Sequence, residues 1–328
     1  METDQHPYSK LTPDVVINAV ESLGWMSDAR ILALNSYENR VYQVGIEDAT
    51  PVIVKFYRPE RWSRAQILEE HSFSQELHDL EIPVVPPIVN NQGDTLHHFE
   101  GFDFAIFTRR GGRAPELDNF DHLLIIGRLL GRLHNCGRAQ PFAHRPAFCA
   151  QDFAQTPQQF LLEQNFIPAQ LLEAYQTLTD DLIRVTETIW QSVDCTSLRL
   201  HGDCHPGNIL WRDDSAFFVD LDDARSGPAV QDLWMLLSGD RPQQIAQLSE
   251  VLEGYQQFAS FNFAELNLIE CLRTWRIMHY AAWLARRWQD PAFPMSFPWF
   301  NTERYWAEHI LELREQLAAL QEPPLELF

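Results

Sequence analysis

Short runs of apolar residues, rich in β-branched and aromatic side chains, recur through the first third of the chain and predict a small, mostly β unit. An amphipathic helix at residues 12–24 precedes these runs, with a threonine at its N-cap, a proline in its first position and a glycine at its end. A second helix is predicted at residues 63–80 and stops before Pro83. The five predicted strands lie at residues 31–34, 40–46 and 52–57 and, twice, within residues 86–107.

After residue 108 the apolar residues recur at helical spacing. Residues 109–112, Arg-Arg-Gly-Gly, interrupt the strands and form the predicted hinge. Five long helices are predicted at residues 118–137, 168–192, 241–259, 264–288 and 302–321. We therefore predict an α+β protein of two lobes, a β-rich N-terminal lobe at residues 1–108 and a larger helical C-terminal lobe at residues 109–328. A cleft between two such lobes is where ligands tend to bind.

Composition and charge exclude several classes of protein. The chain has 328 residues, of which 45% are hydrophobic, so it can bury a large core and is neither disordered nor of low complexity. The net charge of −21 repels nucleic acid backbones and anionic membranes. No apolar run approaches the roughly 20 residues that span a bilayer, and the first thirty residues do not follow the pattern of a signal peptide. We therefore expect neither a nucleic acid nor a membrane partner.

The cysteines favour a reducing compartment. They are five in number and have no C-x-x-C spacing, which indicates free thiols and a cytoplasmic location instead of a disulfide framework. His201, Cys204 and His205 have the donor types of a zinc site. Such a site takes about four ligands in paired spacings, however, and no second pair lies nearby in the sequence. We therefore do not predict zinc here.

Lysine is rare enough for its position to be informative. Of the 25 basic residues only Lys10 and Lys55 are lysines. Lys10 lies in a polar stretch near the N-terminus, whereas Lys55 lies in the predicted strand at residues 52–57. A chain that otherwise uses arginine and keeps a lysine in a strand can require a compact ammonium there. Taken alone, Lys55 is better explained as a strand-end lysine that reaches solvent.

Chemistry-bearing residues are concentrated between two apolar runs at residues 198–200 and 209–211. The loop between them, residues 201–208, is His-Gly-Asp-Cys-His-Pro-Gly-Asn. If the two apolar runs are short strands, they fix the loop in position, and Asp203 and Asn208 can converge on one point. The structural alternative is a polar turn held by its Asp and Asn side chains.

A second group of carboxylates follows the loop closely. Asp220 lies twelve residues after Asn208, at the end of an apolar run, and further aspartates follow at positions 222 and 223. An amide and carboxylates suit Mg²⁺, which takes one or two protein oxygens beside substrate phosphates. With Asp203 as a base and Lys55 as a cation, these residues supply what phosphoryl transfer requires.

These residues also carry a family resemblance. The pattern H-G-D-x-H-x-x-N at residues 201–208, with V-D-L-D at residues 219–222, resembles the catalytic core of the aminoglycoside phosphotransferase and choline kinase group, which shares the bilobal protein-kinase-like fold. Segments along essentially the whole chain resemble the bacterial stress response kinase A family, namely residues 35–42, 54–62, 227–236, 289–294 and 321–324. The resemblance implies ATP-dependent phosphorylation of protein Ser or Thr, in the cytoplasm, during envelope or oxidative stress.

The resemblance implies roles for individual residues. Asp203 and Asp220 would be the catalytic residues, Asp203 as the base that accepts the proton of the substrate hydroxyl. Asn208 and Asp220 would hold Mg²⁺ against the phosphates of ATP. Lys55 would contact the α- and β-phosphates. Asp222 is left open between a further metal contact and a supporting role.

Three more residues complete the expected ATP site and its support. A helix glutamate would orient Lys55, and we prefer Glu70 to Glu69 because Glu70 shares a helix face with apolar residues three and seven positions later. Asp232 would brace the catalytic loop, or it is an ordinary acidic residue at a helix N-terminus. Protein kinases cover the phosphates with a glycine-rich loop. The corresponding turn at residues 35–39 has no glycine, so Ser36 is our candidate for a contact to the ATP phosphates.

The acceptor is the open question at this stage. The leading prediction is a monomeric protein serine/threonine kinase that uses ATP and Mg²⁺ and whose protein substrate is unknown. A small-molecule kinase acting on an amino alcohol, an amino sugar or homoserine has the same catalytic core. A pseudokinase that only binds nucleotide is a third possibility, although the complete set of Lys55, Asp203, Asn208 and Asp220 argues against it.

Overall fold

The structure is a computed structural model that describes residues 6–327. An antiparallel sheet of five strands in the order β1-β2-β3-β5-β4 forms the N-terminal part. Its strands are β1 (Ser27–Ala33), β2 (Arg40–Ile46), β3 (Val52–Phe56), β4 (His97–Phe99) and β5 (Phe102–Thr108). Residues 1–5 of the predicted N-terminal lobe and residue 328 of the C-terminal lobe lie outside the described residues.

Two helices pack on this sheet. Helix α1 (Pro13–Glu21) is capped by the side chain of Thr12 and buries Val16, Ala19 and Val20 in a cluster that includes Val54 of β3. Helix α2 (Arg64–Asp79) instead contributes to a separate cluster with residues 57, 96 and 105. Because side chains alternate along a strand, β3 directs Val54 and Phe56 to the α1 cluster and Lys55 away from it.

The remaining helices form the larger C-terminal part around one continuous core. They are α3 (Phe120–Gly137), α4 (Thr156–Glu163), α5 (Ala169–Ser192), α6 (Gln231–Trp234), α7 (Arg241–Tyr255), α8 (Ile269–Arg286), α9 (Ala292–Ser296) and α10 (Glu303–Ala319). Helices α3 and α7 approach closely at glycines on both sides. A Cβ atom at Gly127 would lie 2.0 Å from the carbonyl oxygen of Val251, and one at Gly254 would lie 2.1 Å from that of Leu124.

Two short strand pairs flank the loop at residues 201–208. Strand β6 (Leu198–Leu200) pairs with β9 (Arg225–Gly227), and β7 (Ile209–Arg212) pairs with β8 (Ser215–Phe218), both antiparallel. The loop at residues 201–208 joins the first pair to the second. It is therefore held at both ends by strand pairing, as the sequence predicts.

The predicted α+β architecture, with a β-rich N-terminal part and a helical C-terminal part, is confirmed. Several predicted bounds are wrong by a few residues: α1 ends at Glu21 instead of residue 24, and the helix predicted from residue 264 begins as a 3₁₀ segment, Phe263–Leu268. The sequence analysis missed α4 and α9, which are at most eight residues long and too short to show a clear period. The lobe boundary after residue 108 stays a prediction.

Within residues 6–327, none of the helices is both long enough and apolar enough to cross a membrane.

Candidate active site

One cleft contains every residue that the sequence analysis selected for catalysis, metal binding or ATP binding. It has a volume of about 800 Å³. Strands β2 and β3, the turn at residues 35–39, the loop at residues 201–208 and helix α8 all contribute to its walls. The selected residues that line it are Ser36, Lys55, Glu70, Asp203, Asn208 and Asp220.

The loop at residues 201–208 is anchored from below by Asp232 in α6. The fully buried carboxylate of Asp232 accepts hydrogen bonds from the backbone N–H groups of His201, at 2.8 Å, and Gly202, at 2.9 Å. His134 Nε2 lies 3.0 Å from the same carboxylate. Gly202 has a φ of +87°, and a Cβ atom there would lie 2.1 Å from the carbonyl oxygen of Asp223, so only glycine fits. Asp232 therefore braces the catalytic loop through its backbone and is not simply an acidic residue at a helix N-terminus.

Asp203 and Asn208 converge as the spacing of five residues suggests. The Asn208 side-chain amide donates a hydrogen bond to the Asp203 carbonyl oxygen at 3.0 Å. The Asp203 carboxylate remains directed to the cleft, where its Oδ1 lies 2.5 Å from Nη1 of Arg276 in α8. His205 braces the loop, because its Nδ1 accepts a hydrogen bond from the Gly207 N–H at 3.0 Å.

Asp220 is the exposed carboxylate of the D-L-D-D segment. It follows β8 and has a left-handed φ of 60°, and its side chain is 51% exposed. Lys55 Nζ lies 2.7 Å from Asp220 Oδ1 and 3.2 Å from Asp222 Oδ1. Burial alone would lower the pKa of Lys55, but Asp220, Asp222 and Glu70 raise it above its ordinary value. The cleft therefore holds a charged ammonium between two carboxylates.

Asp222 is buried, unlike Asp220. Its side chain is 3% exposed and contacts the guanidinium of Arg61 as well as Lys55. Burial alone would raise the pKa of Asp222, but Lys55 and Arg61 hold it below its ordinary range. Because it pairs with both cations, Asp222 acts as a buried anchor for Lys55 and Arg61.

The structure separates the two candidate glutamates of α2. Glu69 accepts hydrogen bonds from the backbone N–H groups of Ala143, His144 and Arg145, so it caps a surface loop. Glu70 is buried in the wall of the cleft, and within the described residues its Oε2 has no hydrogen-bond partner. Burial raises the pKa of Glu70 to about 7, although Lys55 and Arg145 oppose the shift. Glu70 is therefore the glutamate of α2 that interacts electrostatically with Lys55.

We expect stability to depend on pH through Glu70. The folded chain retains the Glu70 proton up to about pH 7, whereas an unfolded chain releases it near 4.5, so this group's contribution to stability falls as pH rises. Between pH 5 and pH 8 the free energy of unfolding of the wild type should fall by about 2.5 kcal/mol more than that of Glu70→Gln, at about 1.4 kcal/mol per pKa unit. Urea unfolding at both pH values measures this, and the exposed Glu253→Gln serves as control. Equal pH dependence in wild type and Glu70→Gln would contradict it.

The turn at residues 35–39 is fastened to the C-terminal part by ion pairs. Glu38 accepts a hydrogen bond from Trp283 Nε1 at 2.5 Å and lies 2.6 Å from Arg287 Nη2. Asp290 pairs with Arg40 at 2.8 Å and with Arg58 at 3.0 Å. Ser36, in this turn, lines the cleft, and its hydroxyl donates to the Asn39 carbonyl oxygen at 3.2 Å. Ion pairs thus hold a turn that has no glycine.

Sequence reasoning missed the charged residues that reach this cleft from distant segments. Those that line the cleft are Glu38, Arg61 and Arg276. Arg287 and Asp290, which pair with Glu38 and Arg40 beside it, were missed as well. Arginine is too frequent in this chain for any single one to be informative. The sequence pointed to some of these residues only indirectly, because Glu38, Arg61 and Asp290 lie in segments that carry the family resemblance.

The oxygens of Asn208 and Asp220 fit a divalent metal whose remaining ligands come from water or substrate phosphates. Among residues 6–327 no three His, Cys, Asp or Glu side chains converge as a complete metal cage. Asn208 uses its amide NH₂ on the Asp203 carbonyl, which leaves Oδ1 as a ligand, and Asp220 is exposed. One amide oxygen and one carboxylate are what Mg²⁺ takes when substrate phosphates complete its shell.

Comparison with known proteins identifies the family. The model of the phosphotransferase enzyme family, APH, matches residues 30–269. Stress response kinase A of Escherichia coli (strain K12) is 49% identical over 327 residues, which cover 100% of this chain and 99% of that protein. The chain belongs to the stress response kinase A family of phosphotransferases. Another member of the family, the serine/threonine protein kinase RdoA of Salmonella typhimurium, is 47% identical with the same coverage. Family membership makes the chain a kinase and confirms the resemblance found in its sequence.

Solved structures confirm the kinase-like fold. Amicoumacin kinase hAmiN, in complex with AMP-PNP, Ca²⁺ and Ami, aligns with a TM-score of 0.72 at 18% identity, over 93% of this chain and 92% of that one. The microcompartment-associated aminopropanol kinase has a TM-score of 0.72 at 16% identity, over 95% and 100%. At such low identity these structures show only that the chain has their bilobal kinase-like fold.

Proposed function

We propose that the chain is an ATP- and Mg²⁺-dependent serine/threonine protein kinase that acts in the bacterial stress response. The observation that carries the proposal is the meeting of Lys55, Asp203, Asn208 and Asp220 in one cleft. Full-length relatives named stress response kinase A and serine/threonine protein kinase support the protein acceptor.

In this proposal Asp203 accepts the proton of the substrate hydroxyl. The bonds of Asp232 to the loop backbone and of Asn208 to the Asp203 carbonyl oxygen fix the position of the base before substrate arrives. Such positioning is a main source of rate in phosphoryl transfer, where the protein does little covalent chemistry.

Asn208 and Asp220 would hold Mg²⁺, which would supply positive charge against the ATP phosphates. Lys55 binds the α- and β-phosphates, and Ser36 contacts the phosphates from the turn above them. Lys55 is bound to Asp220 in the present structure, and Glu70 lies behind it without a hydrogen bond to its Oε2 among the described residues. Glu70 would thus be available to orient Lys55 with Asp220 serving as a metal ligand.

A small-molecule kinase is the second candidate. The cleft volume of about 800 Å³ is in the range of pockets that enclose small ligands. The structural neighbours named amicoumacin kinase and aminopropanol kinase point to the same class of acceptor.

Incubation with Mg²⁺ and γ-labelled ATP tests the proposal. One basic and one acidic substrate protein are added in separate reactions, and Asp203→Asn runs beside the wild type. We expect label on Ser or Thr of a substrate protein, lost in the variant and on removal of Mg²⁺. Nucleotide turnover stimulated by a small alcohol or amine, without labelled protein, would instead support the metabolite kinase. Absence of any turnover would leave only nucleotide binding.

A further inference from the structure

One face of α8 borders the place where the acceptor must lie. Residues 272, 276, 279, 280 and 283 recur at intervals of three and four and all line the cleft. Arg276, on this face, contacts Asp203, the proposed base. Since the acceptor hydroxyl must reach Asp203, the α8 face forms the adjacent wall of the acceptor site.

Arg276 differs from the other cations of the cleft in its partner. Lys55 is neutralised by Asp220 and Asp222, and Arg61 by Asp222 and Asp223. Among the described residues, the carboxylate that pairs with Arg276 is that of Asp203 itself, and the Arg276 side chain is 48% exposed. A hydroxyl that approaches Asp203 Oδ1 must therefore compete with Arg276 for the same oxygen.

An acceptor that carries its own anion removes this competition. A carboxylate of the acceptor, next to its hydroxyl, can pair with the Arg276 guanidinium, whose geometry suits carboxylates. Asp203 Oδ1 is then free to accept the hydrogen bond of the hydroxyl. An ammonium in the same place is repelled by Arg276 at short range. The positive charge of Arg276 beside Asp203 thus favours acceptors that carry an anion over acceptors that carry an ammonium.

We propose that Arg276 selects acceptors in which an acidic side chain lies next to the phosphorylated hydroxyl. The proposal rests on the proposed kinase function and specifies its acceptor as Ser or Thr flanked by Asp or Glu. Arg276 is a specificity-determining residue in this scheme and takes no part in the proton transfer itself.

A peptide series with matched variants tests the proposal. Each peptide has one Ser, and the residue before or after it is Asp, Asn or Lys. For the wild type we expect kcat/KM to be roughly 10- to 100-fold higher with Asp than with Asn in at least one of the two positions, as for a hydrogen bond between charged groups. Arg276→Gln should lose this preference, and Arg276→Glu should favour Lys.

Controls keep folding and specificity apart. Arg273 lies on the same helix, and its side chain pairs with Glu270 and not with Asp203. The variant Arg273→Gln should therefore keep the wild-type preference. Arg276→Lys retains the charge and should retain part of the preference. ATP binding by each variant verifies that the fold is intact.

Two results would overturn the inference while leaving the kinase function in place. They are labelled peptides without a charge preference in the wild type, and a preference that survives in Arg276→Gln. If the wild type labels no peptide at all, the protein kinase function fails and the inference fails with it.

Discussion

Asp203→Asn should reduce the rate of phosphoryl transfer by about 10²- to 10⁴-fold, the range contributed by a positioned general base. Asparagine has nearly the same shape but cannot accept the proton. The loop should keep its geometry, because Asp232 and Asn208 hold it through backbone groups that the substitution leaves in place. The affinity for ATP should therefore stay close to that of the wild type.

Single-turnover kinetics and calorimetric titration of ATP measure the two quantities separately. Asp213→Asn is the matched control, because this aspartate is 85% exposed in the turn between β7 and β8. Its backbone has a positive φ of 52°, which asparagine tolerates. A variant Asp203→Asn that transfers phosphate at the wild-type rate would mean that another group takes the proton.

Asp220→Asn should lose the dependence of ATP affinity on Mg²⁺. The change removes a negative charge at the exposed carboxylate that we propose as a metal ligand, while asparagine accommodates the left-handed backbone at this position. The loss of one charged interaction corresponds to roughly a 10- to 100-fold weaker binding of ATP in the presence of Mg²⁺. Lys55 keeps a carboxylate partner in Asp222, so the fold of the cleft should remain.

Titration of ATP with and without Mg²⁺ distinguishes the two aspartates. The wild type and Asp203→Asn should bind ATP more tightly with the metal, and Asp220→Asn should bind it equally in both conditions. Equal loss of ATP binding in both variants would show that the assignment of base and metal ligand is wrong.

The parts of this site that the sequence predicts are those with a local signal. The β-branched and aromatic run at residues 52–57 predicts the strand that holds Lys55, and helical spacing in α2 favours Glu70 over Glu69. In the structure Glu70 is buried in the wall of the cleft, whereas Glu69 accepts backbone hydrogen bonds from a surface loop. The loop at residues 201–208 is recognisable because its polar residues are adjacent in the chain and bounded by strands.

The parts that the sequence did not predict depend on contacts between distant segments. Arg276 and Asp203 are 73 positions apart, and Arg40 and Asp290 are 250 apart. No period or cap marks such a pair, since an ion pair constrains side-chain ends and not the backbone between them. Asp222 shows the same limit, because its burial against Arg61 depends on tertiary packing.

The scarcity of lysine provides a spectroscopic probe of the cleft. With one exposed lysine at position 10 and one 7% exposed at position 55, selective ¹³C labelling of lysine Cε gives two NMR signals from the side chains. The signal of Lys55 comes from a carbon bonded to the ammonium that lies between Asp220 and Asp222. Its chemical shift follows nucleotide and metal binding directly, in the native chain and without any substitution.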